Sequence, residues 1–192
     1  LVHVHSNEGM FWGIVYWGET DEGKKAEIKF SWEKDWNAGE DFGIKNSTMD
    51  AASIALAGVS GEDKIIIGNS GWYLVVVKIE IEGRSYKYSI QFLEPNVYYT
   101  DKAAGGNDVY DNTTRFTVPT TSDGEFVSPA FAVSSELRMC VKLDEIEWWR
   151  TEFIILDGKI VYRGTGDDQK RVNVTAGKKA YLKFSDGTGY IQ

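Results

Sequence analysis

Phe153-Ile154-Ile155-Leu156-Asp157-Gly158-Lys159-Ile160-Val161-Tyr162 sets two short apolar runs on either side of an Asp-Gly pair. Asp-Gly accepts the positive φ required at both central positions of a type I′ turn, whose twist matches that of paired strands, so the stretch reads as a β-hairpin. Working outward, residues 65–67, 72–81, 85–92, 115–119 and 128–133 are also short runs rich in Val, Ile, Tyr, Phe and Trp, and they read as further strands. Glu82-Gly83-Arg84, Ser122-Asp123-Gly124 and Thr175-Ala176-Gly177 supply turns between them. Only residues 49–56 suggest a helical turn. The fold class expected from this pattern is all-β.

The pattern occurs twice. Gly9-Met10-Phe11 corresponds to Gly124-Glu125-Phe126, Glu27-Ile28-Lys29 to Glu136-Leu137-Arg138, Trp36 to the Trp148-Trp149 pair, and Asn69-Ser70-Gly71 to Thr175-Ala176-Gly177, all in one order. This predicts two tandem antiparallel β-sandwich modules of immunoglobulin-like type, residues 1–94 and 95–192. The junction Phe92-Leu93-Glu94-Pro95-Asn96 has no Gly/Ser spacer, which predicts a fixed relation between the modules. The second module opens with Val97-Tyr98-Tyr99-Thr100, for which the first shows no counterpart, so a leading strand of the first is expected upstream of Leu1.

Composition narrows the function. A formal net charge of -8 on 192 residues, with no basic block, argues against a nucleic-acid partner, because phosphate neutralisation needs clustered cations. The single cysteine, Cys140, forbids an internal disulfide and sits in an alternating run as a small apolar residue. No apolar stretch is long enough to span a membrane as a helix. Aromatic residues make up 14% of the chain, more than two small cores need, so some rings are expected at the surface.

The sharpest local signal is Glu147-Trp148-Trp149-Arg150-Thr151-Glu152-Phe153, followed one hairpin later by Val161-Tyr162-Arg163-Gly164. Read as a strand, the segment turns its two indoles to opposite faces, one inward and one outward beside polar groups. An exposed indole stacks on the C–H face of a pyranose while a guanidinium donates to paired hydroxyls, so Trp149, or Trp148 in the other strand phase, together with Arg163, forms a candidate sugar platform. His3 and His5 share a strand face, but with no further His and only the apolar-run Cys140 in the chain they read as an exposed strand end and not as a metal site. Asp108 with Asp111, and Asp167 with Asp168, lack the spacing of a calcium loop. No cofactor motif and no nucleophile set is present. A glycoside hydrolase using paired carboxylates and a structural spacer without a ligand remain the rival readings.

Phe11-Trp12-Gly13-Ile14-Val15-Tyr16, Glu27-Ile28-Lys29-Phe30, Asp41-Phe42-Gly43 and Gly71-Trp72-Tyr73-Leu74-Val75-Val76-Val77 resemble the SusE/SusF surface lipoproteins of starch-utilisation systems in Bacteroidetes. The tail, from Trp148-Trp149-Arg150 through Tyr162-Arg163-Gly164 to Leu182-Lys183-Phe184, carries the same resemblance. It implies starch-binding-like modules that hold malto-oligosaccharide without catalysis, at the cell surface of an outer membrane. It also implies a lipid anchor outside this chain, a monomeric protein and a glycan-transporter partner. Carried over by position, the second module would use Trp149 or Trp148, Arg163 and the early-loop Tyr110. The first would use Trp36 with Lys45 or Lys64 where the family pattern has arginine.

Overall fold

The computed structural model describes residues 1–20, 22–31, 41–106 and 108–192. It divides into two compact units, Gly9–Glu94 and a second that joins Leu1–Glu8 to Pro95–Gln192. The leading eight residues thus pack with the second repeat, although they adjoin the first in sequence. Trp36, Trp32 and Asn107 lie outside the described residues.

In Gly9–Glu94, the strands Met10–Trp17, Gly71–Glu82 and Ser85–Leu93 lie side by side and antiparallel, in register from Met10↔Lys78 to Trp17↔Gly71 and from Leu74↔Leu93 to Glu82↔Ser85. The last pair closes a two-residue turn in which Gly83 has φ 66, a conformation glycine adopts without the Cβ clash other residues meet. Tyr73, Val75 and Val77 alternate along one strand, Tyr88, Ile90 and Phe92 along its neighbour, and together they face one core with Phe42, Ile65 and Ile67. Ser47–Thr48 adds a short parallel strand beside Ser85–Leu93, a departure from the purely antiparallel expectation. Ala26–Ile28 pairs with Ile65–Ile67, and Phe30–Ser31 with Asp41–Phe42. The anticipated helical turn is the helix Ala51–Ala57, started by the Asp50 carboxylate accepting from the Ser53 amide at 2.6 Å and ended by Gly58 at φ 60.

In the second unit, Val97–Thr100, Glu136–Val141, Glu152–Leu156, Lys159–Tyr162, Thr188–Ile191, Ala180–Lys183 and Phe126–Val127 follow one another as antiparallel neighbours. Asp157 at φ 51 and Gly158 at φ 76 form the type I′ turn between Leu156 and Lys159. The ring of Phe184 meets both Phe126, on the last strand of this order, and Phe153, near its middle, so the sheet curls over its own core. Cys140 is fully buried there, and burial pushes its thiol up out of reach of ordinary pH.

Three expectations about local structure change. Residues 128–133 form no strand: Pro129 has no N–H to give a ladder, and the segment is held by scattered bonds, among them the amides of Ser128, Phe131 and Val133 donating to the carbonyls of Ala180, Lys178 and Ala103. Residues 115–119 contribute only the isolated bridges Tyr98↔Arg115 and Thr117↔Val127. The tryptophan pair lies not on a strand but in a one-turn 3₁₀ helix, Trp148–Thr151, with the strand beginning at Glu152. The Arg150 amide donates to the Glu147 carbonyl at 3.0 Å, and the Thr151 hydroxyl lies within hydrogen-bond reach of the carbonyls of Val141, 2.6 Å, and Trp148, 3.2 Å. These local bonds favour a turn over an extended ladder.

Candidate functional site

The 3₁₀ turn points its two indoles into different surroundings, and both are half-buried. Trp148 lines a recess of about 270 Å³ with Asp108, Tyr110, Lys142, Glu145, Ile146 and Glu147. Tyr110 stands edge-on to Tyr98 at 5.6 Å, and Lys142 Nζ lies 5.4 Å from the centre of the Tyr110 ring. Lys142 donates to the carbonyls of Leu143, 3.1 Å, and Ile146, 2.9 Å. An ammonium has three N–H groups, so a third remains for an incoming hydroxyl. Asp108 accepts from the Thr100 hydroxyl at 3.2 Å. Burial raises the Tyr110 phenol well above its ordinary value, and nearby Asp108 and Glu147 add to the effect, so this group stays a neutral donor.

Aromatic surface, one ammonium and three carboxylates suit an uncharged, hydroxyl-rich ligand. Carboxylates accept from hydroxyl donors and repel phosphate or uronate, while an indole and a phenol offer π surface to C–H groups. The volume is near the lower end for enclosed small-molecule pockets, as fits a ring held at a surface.

Trp149 has different neighbours. The guanidinium of Arg150 lies 5.0 Å and that of Arg163 5.1 Å from its ring centre, and the His5 ring meets it edge-on at 5.4 Å. Arg163 is anchored in turn, at 3.2 Å to Glu152 and 3.7 Å to Asp168. The structure therefore brings Trp148 together with Tyr110, and Trp149 with Arg163. His5 is no exposed strand end: its Nδ1 lies 2.9 Å from the Gly164 carbonyl, which can only accept, so the proton sits on Nδ1.

In the other unit, Lys64 lines a recess of about 350 Å³ with Glu27, Ile28, Lys29 and Asp41, and is paired with Glu27 at 2.8 Å. Lys29 bridges Asp41 at 3.0 Å and Asp63 at 2.8 Å. Lys45 is exposed and is not among the residues lining this recess. Trp36 falls outside the described residues.

Sequence reasoning missed Lys142 and the anchoring carboxylate Glu152, and weighed Asp108 only as a calcium ligand. Glu152 and Arg138 did carry a signal, as opposite charges interrupting two apolar strand runs, a pattern that calls for a buried pair.

A sequence model of the family described as SusF/SusE starch specific CBMs matches residues 1–89 and 96–190. The chain belongs to the SusF/SusE family. Outer membrane protein SusF of Bacteroides thetaiotaomicron is 41% identical over 198 residues, a match covering 100% of this chain and 38% of that protein. The crystal structure of SusF from Bacteroides thetaiotaomicron has a TM-score of 0.88 and 41% identity, covering 100% of this chain and 42% of that one. The chain thus spans well under half the length of the SusF proteins it matches. The family's description is of starch-specific carbohydrate-binding modules.

Proposed function

We propose that the chain binds starch or malto-oligosaccharide without cleaving it, at the cell surface, and that the recess between Trp148 and Tyr110 is the sugar site of the second unit. The observation that carries the reading is the meeting of the two aromatic rings with Lys142 and the carboxylates of Asp108 and Glu147 in one open recess. A glucosyl ring stacks on Trp148, Lys142 donates its remaining N–H to a hydroxyl, and Asp108 and Glu147 accept from others. On this reading Trp149 and Arg163, which stand together outside the recess lining, are not the platform.

In the first unit, Lys64 lines the charged recess, and the sequence repeat offers Trp36, outside the described residues, as platform and Lys45 as the alternative cation. Membership of a starch-specific family and likeness to an outer membrane protein support placement at the outer membrane. By resemblance the chain works as a monomer, held through a lipid anchor beside a glycan transporter.

Stacking contributes about 1 kcal/mol per ring beyond burial. With apolar burial and solvent-competed hydrogen bonds added to stacking, one open platform is expected to hold its glycan with a Kd of roughly 0.1 to 1 mM, about 4 to 5.5 kcal/mol. Two modules on one chain raise the effective concentration of the second site and hold a polymer more firmly. Affinity electrophoresis through gels containing starch, xyloglucan or β-glucan tests the reading: retardation by starch alone is expected. Unchanged mobility in all three gels favours a spacer.

A further inference from the structure

We propose that the leading segment Leu1–Glu8 is a positioning element of the Trp148 recess, although none of its residues lines that recess. This rests on the reading of the recess as the sugar site. The segment grips the turn that carries Trp148 through the next two residues of that turn. The His5 amide donates to the Arg150 carbonyl at 2.7 Å, and its imidazole Nδ1–H donates to Gly164 at 2.9 Å. Arg150 returns the contact, its Nη1 reaching the carbonyls of Ser6 at 3.2 Å and His5 at 3.5 Å. The His5 ring closes on the edge of Trp149 at 64° between planes, and Val4 beside it is 1% exposed.

The segment is shaped for this grip. The Asn7 amide donates to the Val4 carbonyl at 3.0 Å, and Ser6 adopts φ 55, a left-handed conformation that a serine takes only where surrounding contacts hold it. That turn aims the carbonyls of His5 and Ser6 at Arg150.

The turn needs such support. A single 3₁₀ turn has little stability of its own, and Glu147 gives this one no side-chain cap. On one side the Thr151 hydroxyl ties it to Val141; on the other, Leu1–Glu8 ties it through Arg150 and Trp149. Trp148 opens the same turn, so a rotation that leaves the fold intact swings its indole relative to Tyr110 and Lys142. A binding constellation loosened by even a fraction of an ångström loses affinity.

The test is calorimetric titration of the full chain with maltoheptaose, with a thermal melt of every variant. His5→Ala and Arg150→Ala are each expected to weaken binding about five-fold or more at temperatures where the variants are folded. Arg150→Lys, which keeps a cation able to donate to Ser6, is expected to recover most of the loss, as a mere change in stability would not require. If Arg150→Ala does not fold, His5→Ala carries the test. Parent affinity in both alanine variants, with binding abolished by Trp148→Ala, overturns the inference and leaves the recess reading standing. Parent affinity in Trp148→Ala overturns the recess reading and the inference with it.

Discussion

Arg163 holds its guanidinium 5.1 Å from the centre of the Trp149 ring while its Nη1 reaches 3.2 Å to the buried carboxylate of Glu152. That carboxylate also receives Arg138 at 2.5 Å, and Arg138 pairs with Glu136, which takes Arg171 at 2.9 Å and Lys102 at 3.2 Å. Trp149 is thus the outer end of a chain of charges that begins inside the second unit. Arg163 is tied through Nη1 to a buried carboxylate and stands over the Trp149 indole, whereas Trp148 lines the open recess.

The two tryptophans therefore separate by phenotype. Trp148→Ala is expected to weaken maltoheptaose binding at least about ten-fold, near 1.4 kcal/mol, with a small change in melting temperature. Trp149→Ala is expected to lower stability by about 1 to 3 kcal/mol, because it removes packing shared by Arg150, Arg163 and His5. Titration and urea unfolding, run on both variants, check the division.

Removing one member of the buried charge chain exposes the others to an uncompensated charge. Glu152→Ala takes from Arg138 and Arg163 the buried carboxylate they share, leaving Glu136 and the exposed Asp168 as their acidic partners, and is expected to cost about 3 to 5 kcal/mol. Arg163→Ala, which leaves Arg138 on Glu152, is expected to cost less, about 1 to 3 kcal/mol. Equal losses in urea melts would show that the two arginines do not share the carboxylate as the geometry implies.

Glu136 gives the acid dependence. Burial works to raise its carboxyl, but hydrogen bonding to Lys102 and the charges of Arg138 and Arg171 outweigh it and hold the group below its ordinary value. The unfolded chain therefore takes up this proton first as pH falls. The stabilisation is complete above roughly pH 5, where both states are ionised, and is lost as pH drops through the lower folded value. The stability gap between parent and Glu136→Gln is expected to narrow as urea melts move from neutral pH toward about pH 3. A constant gap would contradict the assignment.

The hairpin that opens the sequence argument makes a backbone prediction. Gly158, at φ 76, is expected to lose about 1 kcal/mol on substitution by Val, whereas Asp157→Asn, at φ 51, stays near neutral. Thermal melts of the two variants measure it.

How much was legible follows the same physics. The hairpin at Asp157-Gly158, the alternation through Tyr73, Val75 and Val77 and the burial of Trp12 and Trp72 are local patterns, and the sequence carries them directly. Residues 128–133 resemble a strand by composition, yet Pro129 and scattered long-range bonds decide otherwise. The sequence offers Trp149 or Trp148 with Arg163 and Tyr110 as one platform, whereas the structure sets Trp148 beside Tyr110 and Trp149 beside Arg163, directions that depend on a 3₁₀ turn that leaves no periodic trace. Lys142 escaped notice because its role arises from the meeting of the strand end at Val141 with the loop that carries Tyr110, two segments distant in sequence. His5 escaped for the same reason: 145 residues separate it from Arg150, which it grips.

A crystal structure of the chain with maltoheptaose tests the central claim most directly. The account predicts a glucosyl ring stacked on Trp148, with Lys142 donating to one of its hydroxyls and Tyr110 beside it. A sugar stacked on Trp149 with Arg163 turned out toward it, or density only away from this recess, would contradict the account.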